Sequence, residues 1–465
     1  MLYGRQKIYT NYREINDGNI GSVLVNAYNV FKANLGDIEY LYNYYVGMQP
    51  ILQREKKIRP EINNKIVENH AFSIVQFKTG YLLEKPVQYV ARKDNTNIDA
   101  LTSLNDYMEI EGKESKDKQI ANDRAICGQA YRLVLANKKY NQNDLNESPF
   151  NIFTISPKQA FVVYSSDIGE KPLLGVVVLT EKVDGQDVIK LQAYTEDKYY
   201  VFNLTMMSTE VSTSHTYGMI PLIEYPNNEQ RLGAFEVVID LLDAIDKVQS
   251  NRLDAIEQFV QAIMVFKNVE IDKDMLDALK ELGAINISDS GEIKANVEYL
   301  QQELNQEQVQ KLKDDLLEVV YKICGMPQPN GSGGGNNGAT VVHDGWTDAE
   351  ARAQEDELSF KASEKQFLKL ALKISKTLTA NKVELSVADI EIKFTRRNYE
   401  NLTQKVNALV LMLQNEKIAP RLAFSTCGLF ADPEEAFRES EEYVEKMLKL
   451  KQPQQQEVNP DVTSE

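Results

Sequence analysis

Histidine and cysteine, the residues that most often carry metal and nucleophilic chemistry, number three each in 465 residues. Cys127, Cys324 and Cys427 lie far apart and form no CxxC pair, so the sequence suggests neither a disulfide framework nor a zinc site. Reduced, buried thiols in a cytosolic environment are the expectation. His70, His215 and His343 have no metal-ligand spacing, and His70 falls in a helical pattern that suits a packed or hydrogen-bonded role. A Cys324–His343 nucleophile pair is conceivable, but Cys324 sits in the last turn of an apolar helix and no third, orienting group is apparent. Basic charge is also short. Lys and Arg number 52 against 69 Asp and Glu, a net charge of −17. Broad neutralisation of nucleic-acid phosphates needs clustered cations, so such a chain can surround nucleic acid without gripping it. No run approaches the roughly 18 apolar residues of a membrane span. The opening MLYGRQKIYTNYREIN lacks the apolar core of a signal peptide. The expectation is a soluble chain, made and used without secretion, with no membrane partner.

What is present is 43% hydrophobic residues over a length that suits two to four structural units. The patterns predict an α+β chain, predominantly helical. Residues 16–47 have helical spacing, broken at Gly36. Gly47 and Pro50 mark a stop. Residues 59–82 read as a helix with Pro60 in its first turn and Gly80 at its end. Residues 86–90 read as a strand, and 97–111 and 115–136 as helices. At 150–225 the character changes. The β-branched and aromatic runs 161–164, 173–181, 188–195 and 199–205, separated by tight turns, predict an antiparallel meander. Residues 231–268 carry one apolar stripe and predict a helix about 55 Å long, packed along its length on a neighbour. An insert at 269–302 holds a short helix (275–282), a turn at 288–291 and strand residues Ile285, Ile287, Ile293 and Val297. Residues 305–325 are helical, with Asn305 and Gln308 as a capping box and Gly325-Met-Pro327 as the stop. Thr347 to Glu350 forms a second capping box for a helix reaching about Leu378, with Glu357 and Lys361 paired on its exposed face. Residues 388–395 predict a strand. Residues 400–450 predict two or three helices, with Pro420 and Pro433 at their starts. The tail 451–465 is low-complexity and reads as disordered.

Between the two helices lies GSGGGNNG (331–338). A phosphate-binding loop needs G-x-x-x-x-G-K-[ST] after a strand. Here a helix precedes the loop and Ala339-Thr340-Val341 follows it, with no lysine. No Gly-x-Ser-x-Gly elbow occurs either, and most carboxylates fall on polar helix faces. No enzyme, cofactor or metal is expected. A plain linker does not fit well, because the loop joins two long helices and ends in Val341, Val342, His343 and Trp346. A mobile tip with an apolar, aromatic end fits better.

The order of these parts resembles bacteriophage portal proteins of the SPP1-like Siphoviridae type. YNYYVGMQPILQREKKIRPEINNKIVENHAFSIVQFKTGYLLEKPVQY (42–89) is similar to the family's N-terminal signature. The similarity continues through the meander, the MVFKNVE end of the long helix, the GMP stop, IEIKFTRRNYEN (390–401) and LFADPEEAFRESEEY. The resemblance implies a ring, typically a dodecamer, at one capsid vertex. It divides the chain into a wing (1–228, joined by a long helix at 347–380), a stem (229–266 and 303–325), a clip (267–302), a tunnel loop (326–346), a crown (381–450) and the tail (451–465). It implies that double-stranded DNA is packaged and later ejected through the ring, with energy supplied by a separate terminase. The implied loop contacts to DNA are Asn336, Asn337, Thr340, Val341, Val342, His343 and Trp346. Lys247 and Arg252 are stem channel candidates, with Asp243, Asp246 and Asp254 also on the polar side and helix rotation deciding their exposure. Ile285, Ile287 and Ile293 belong to the clip, which would dock the terminase large subunit and then the head–tail connector. Major capsid and scaffolding proteins are further implied partners, and the virion is the implied location, with assembly in the host cytoplasm. The glycine run and the scarcity of basic residues depart from relatives that place lysine after the loop. Two other classes stay open: a helical scaffold or adaptor that binds only proteins, and a nucleotide-acting enzyme using the glycine loop.

Overall fold

Val23, Ala27, Phe31, Ile38 and Leu41 recur at helical spacing and are all buried on one helix, α1 (Ile20–Tyr45). Gly36 does not divide it. A side chain at that position would meet nothing within 4 Å, and a lone glycine costs a helix only about 1 kcal/mol relative to alanine. The computed structural model describes residues 4–92, 96–141, 143–144, 146–183, 185–260, 263–267, 296–300, 306–327, 346–378, 385–396, 402–430 and 433–451. The tail beyond Lys451 lies outside them.

The next helix begins later than its pattern predicts. α2 (His70–Leu82) starts where the Asn69 side chain accepts the Phe72 N–H, and it runs past Gly80. Residues 59–69 are not helical. α3 (Ile98–Ile110) and α4 (Lys113–Cys127) follow. α4 does not continue to residue 136 as expected, because Gly128 takes a left-handed φ of +82° and turns the chain. The buried run after it becomes strand β3 (Gln129–Ala136). A side chain at Gly128 would also collide with the carbonyl of Arg231, 1.9 Å from the added carbon.

The expected meander forms within one sheet, and the 150–225 region also gives two strands to a second sheet. Strands β5 (Ala160–Ser165), β6 (Pro172–Val183), β7 (Gln186–Tyr194), β8 (Lys198–Asn203) and β9 (Ser208–Ser214) pair antiparallel in chain order. The short β1 (Ile8–Thr10) adds in parallel to β5, Ile8 opposite Val163. A second sheet has the order β10 (Leu222–Pro226), β3, β4 (Phe150–Ile155). The six-stranded sheet is covered on both faces around β5 and β6, while β9 is exposed along its length. Phe161, Val163, Leu174, Val176 and Leu191 pack under α1. Ala160, Val162 and Val177 face Tyr131, Leu133 and Leu222 of the second sheet. Burial on both faces is why β5 reads as an unbroken apolar run rather than an alternating one.

The stretch predicted as one 55 Å helix is shorter. A turn of 3-10 helix at Glu236–Val238 leads into α5 (Ile239–Val260), and the chain then becomes strand β11 (Ile263–Lys267). At 22 residues α5 is about 33 Å long. β11 pairs antiparallel with β12 (Asn296–Leu300). Helix α6 (Gln306–Cys324) ends at Gly325, which has a φ of +62°, so the predicted stop is where the helix ends. The capping residue proposed for it, Asn305, lies outside the described residues. The long helix α7 (Trp346–Leu378) includes Thr347 within its first turn, so Thr347 is not the N-cap. Its Glu357–Lys361 pair forms at 2.6 Å, half-buried rather than on the exposed face. β13 (Ile390–Lys393) pairs antiparallel with β2 (Gln88–Ala91). Three helices follow, α8 (Leu402–Leu413), α9 (Pro420–Thr426) and α10 (Pro433–Lys451), the last two opening on proline.

Candidate functional site: a two-helix hairpin and its anchorage

α5 and α6 pack against each other, and the β11–β12 ladder joins the far end of α5 to the segment that leads into α6. Its register is antiparallel, Ile263 opposite Leu300 and Lys267 opposite Asn296, and completes a hairpin with the two helices. At its base Leu242, Ile245, Val320 and Cys324 are buried with Ile38, Leu41 and Tyr44 of α1 and Ile74 and Val75 of α2.

The polar residues of α5 have three separate environments. One side holds the non-helical segment before α2. The Asn64 N–H donates to Asp254 at 2.7 Å, the Ile66 N–H to Ser250 Oγ at 3.0 Å, and the Glu68 N–H to Asp246 at 2.8 Å. Every second residue of an extended chain therefore meets every fourth residue of a helix. The two repeats match because two extended residues advance about 6.6 Å and four helical residues about 6 Å. This is where the backbone polar groups of 64–68 find partners without a helix or sheet. Asp254 also takes Arg54 and Lys56, each at 3.0 Å. Burial pushes its carboxyl up, and these donors outweigh that and hold it below the ordinary range. Among the described residues Asp246 has no ion-pair partner. Burial pushes it up to about 7, against the pull of the Glu68 N–H, and its Oδ2 has no hydrogen-bond partner among the described residues. Asp243 accepts the Tyr44 hydroxyl at 2.8 Å. The rotation of α5, which decides the exposure of Asp243, Asp246 and Asp254, turns Asp246 and Asp254 against the body, at 1% and 4% exposure.

On the second side Arg252 donates to Gln306 at 2.8 Å and to Gln310 at 2.6 Å, tying α5 to α6. The third side faces solvent, with Asp240, Lys247, Asn251 and Gln258 exposed. The two stem candidates thus separate: Lys247 faces solvent, while Arg252 is half-buried between the helices. The outer face of α6 sets an apolar row among exposed charged residues. Leu312, Val319 and Ile323, at spacings of seven and four, are 43–50% exposed.

α7 carries the chain away from the 326–346 segment, and a buried ionic cluster fixes it to the body. Glu364 is fully buried. It accepts from Arg132 of β3 at 3.2 Å, from Lys113 of α4 at 2.7 Å, from the Tyr89 hydroxyl at 2.5 Å and from the Tyr225 hydroxyl at 2.9 Å. Asp117 completes the cluster, bonded to Arg132 and, at 2.5 Å, to Lys113. The Arg132 guanidinium lies over the rings of Tyr225 and Phe367 at 4.9 and 4.7 Å. Burial alone would raise the Glu364 carboxyl. The charges of Lys113 and Arg132 overcome it and hold the group at about 2. For Asp117 burial wins and the group is raised.

Trp346 begins α7 and packs its ring 6.2 Å from Phe77 and 5.9 Å from Tyr81 of α2. Asn336, Asn337, Thr340, Val341, Val342 and His343, and the insert residues Ile285, Ile287 and Ile293, lie outside the described residues. The three cysteines are free and buried, and burial pushes the Cys127 thiol up to about 12 and Cys324 to about 11. Sequence reasoning missed the Lys113–Asp117–Arg132–Glu364 cluster. Its one local signal was Lys113 and Asp117 at i,i+4.

No helix among the described residues is long and apolar enough to cross a membrane. The described residues thus form a helical hairpin on a two-sheet body, with a second long helix pinned to that body by a buried ionic cluster. Residues 27–457 match the model of the family described as phage portal protein, SPP1 Gp6-like, and the chain belongs to that family. It is 22% identical over 387 residues to the portal protein of Clostridium phage phiCD119, covering 75% of this chain and 84% of that one. It is 20% identical over 206 residues to the portal protein of Bacillus phage SPP1, covering 40% of this chain and 41% of that one. The family is structural and non-enzymatic, and its members are phage virion components.

Proposed function

We propose that copies of this chain assemble into a ring, typically of twelve, at one capsid vertex, and that double-stranded DNA enters the capsid through the ring during packaging and leaves through it at ejection. The observation that carries this reading is the contrast between the two outer faces of the hairpin. The solvent face of α5 bears one acid, one lysine and two amides: Asp240, Lys247, Asn251 and Gln258. The solvent face of α6 bears a row of Leu312, Val319 and Ile323, with Lys311, Asp315, Glu318 and Lys322 exposed beside it. A near-neutral polar face suits a channel wall, because a duplex with about one charge per 1.7 Å of axis would be retained by a strongly basic one. An unpartnered apolar row suits burial against the next copy around the ring.

On this reading α5 and α6 are the stem, residues 267–302 the clip that meets first the terminase large subunit and then the head–tail connector, and residues 381–450 the crown. The 326–346 segment is the tunnel loop, touching DNA through Asn336, Asn337, Thr340, Val341, Val342 and His343, with Trp346 anchoring its end on α2. Capsid and scaffolding proteins surround the wing. The energy of packaging comes from the terminase, since no phosphate-binding lysine follows the glycine run.

Negative-stain microscopy with native mass spectrometry tests the assembly. The expected result is rings with a central hole wide enough for duplex DNA. Val319→Asp abolishes them and Lys247→Gln leaves them intact. Wild-type protein that stays monomeric at high concentration, with Val319→Asp indistinguishable from it, would move the assignment to an adaptor that binds only proteins.

A further inference from the structure

The second half of α7 carries a row of lysines that nothing above uses. Lys365, Lys369, Lys373 and Lys376 are all exposed. At 100° per residue they fall within an arc of about 80° on one face. None has an ion-pair partner among the described residues. The one acid in this half of the helix, Glu364, is turned inward to Arg132 and Lys113. The helix macrodipole favours cations only in the last turn, which accounts for Lys376 but not for Lys365 or Lys369. In a chain of net charge −17, four unpaired cations in single file form a local exception.

We infer that this row is a sequence-independent binding surface for the phosphate backbone of duplex DNA, separate from any channel. The row spans about 16 Å, along which a parallel duplex offers roughly five phosphates per strand. Lysine serves phosphate as a compact point charge on a flexible stem and needs no fixed geometry. The exposed residues beside it, Gln366 and Thr377, are neutral hydrogen-bonding groups that also suit phosphate oxygens. An acidic protein partner is the weaker fit. Protein interfaces are anchored by buried aromatic or large apolar side chains, and among the described residues no large apolar side chain is exposed between Lys361 and Leu378.

The experiment uses the full chain and a closed-circular plasmid, which cannot thread a ring, with native mass spectrometry on the same samples. Four phosphate contacts give a salt slope of about −3.6, so binding weakens about 150-fold between 50 and 200 mM salt. The quadruple Lys→Gln variant loses binding to the circle. The quadruple Lys→Arg variant keeps it, with an unchanged melting temperature showing that the fold is intact. The inference is overturned if wild type does not bind the circle, if the Lys→Gln variant binds as well as wild type, or if polyglutamate is bound in preference to DNA through the same lysines. The ring reading is judged separately from the mass spectra: rings whose binding ignores the row sink this inference alone, and lysine-dependent binding by a chain that forms no ring sinks the other alone.

Discussion

Glu364→Gln is the most informative single substitution in the body of the protein. It keeps the shape of the side chain and removes one charge. Two cations, Lys113 and Arg132, then share a single carboxylate, Asp117, at sites with 0–5% side-chain exposure. The acceptor of two tyrosine hydroxyls also becomes an amide. Breaking a buried ion pair by removing one partner costs about 3–5 kcal/mol, because the charge left behind has no water. In a body on the order of 200 residues, each kcal/mol moves the melting midpoint by about 2–4 °C, so the expected fall is about 6–20 °C. Arg132→Met combined with Glu364→Gln removes one charge of each sign and leaves the Lys113–Asp117 pair at 2.5 Å. It recovers more than half of the loss, since a buried pair replaced as a unit is often neutral. The pH dependence follows from the depressed carboxyl. The contribution is full above the ordinary glutamate value of 4.5 and is lost as pH falls from there toward about 2. The gap between wild type and Glu364→Gln in scanning calorimetry therefore narrows only over that acid window. A midpoint within about 2 °C of wild type at neutral pH, or a double variant less stable than either single one, refutes the reasoning.

Asp246 has the opposite sign. Its carboxyl is raised from 3.8 to about 7, so its ionisation opposes folding, and stability falls as pH rises through that interval. Asp246→Asn flattens this slope in urea titrations between pH 4 and 7, while an unchanged slope would remove Asp246 as its source. Gly128→Ala forces a methyl against the Arg231 carbonyl at a φ of +82° and is expected to cost about 3 kcal/mol or more, read as a shifted denaturation midpoint or a loss of soluble protein. The Cys127 thiol, held near 12 and fully buried, is expected to resist maleimide at pH 8 until the chain is unfolded by denaturant; rapid labelling of the native protein would contradict its burial.

Helices with strong punctuation were legible in the sequence. Gly325-Met-Pro327 ended α6, and Pro420 and Pro433 opened α9 and α10, because these residues act through their own backbone geometry. The meander was legible through its β-branched runs and tight turns. The failures have common causes. The 129–136 run was read as helix because a short, fully buried apolar strand has no alternation to betray it, and Gly128 was the overlooked signal. The same ambiguity hid β11 in the end of the supposed 55 Å helix. Residues 59–69 had apolar spacing suited to a helix, but the N–H groups of residues 64, 66 and 68 are satisfied by Asp254, Ser250 and Asp246, 178 to 190 residues away. The parts of the site that follow family order were legible only as order. Which side of α5 each residue occupies depended on that same segment and on Gln306 and Gln310, and no local pattern encodes it.

That segment also makes the seat of α5 directional, like a pawl on a toothed bar. A slip of 64–68 by one helical turn toward Val260 would set the three N–H groups opposite Gln258, Asp254 and Ser250, each with a side-chain oxygen to accept them. A slip the other way would set the Glu68 N–H opposite Leu242, which has none. The row of side-chain acceptors therefore extends one four-residue step, about 6 Å, on one side only, and stops at Leu242 on the other.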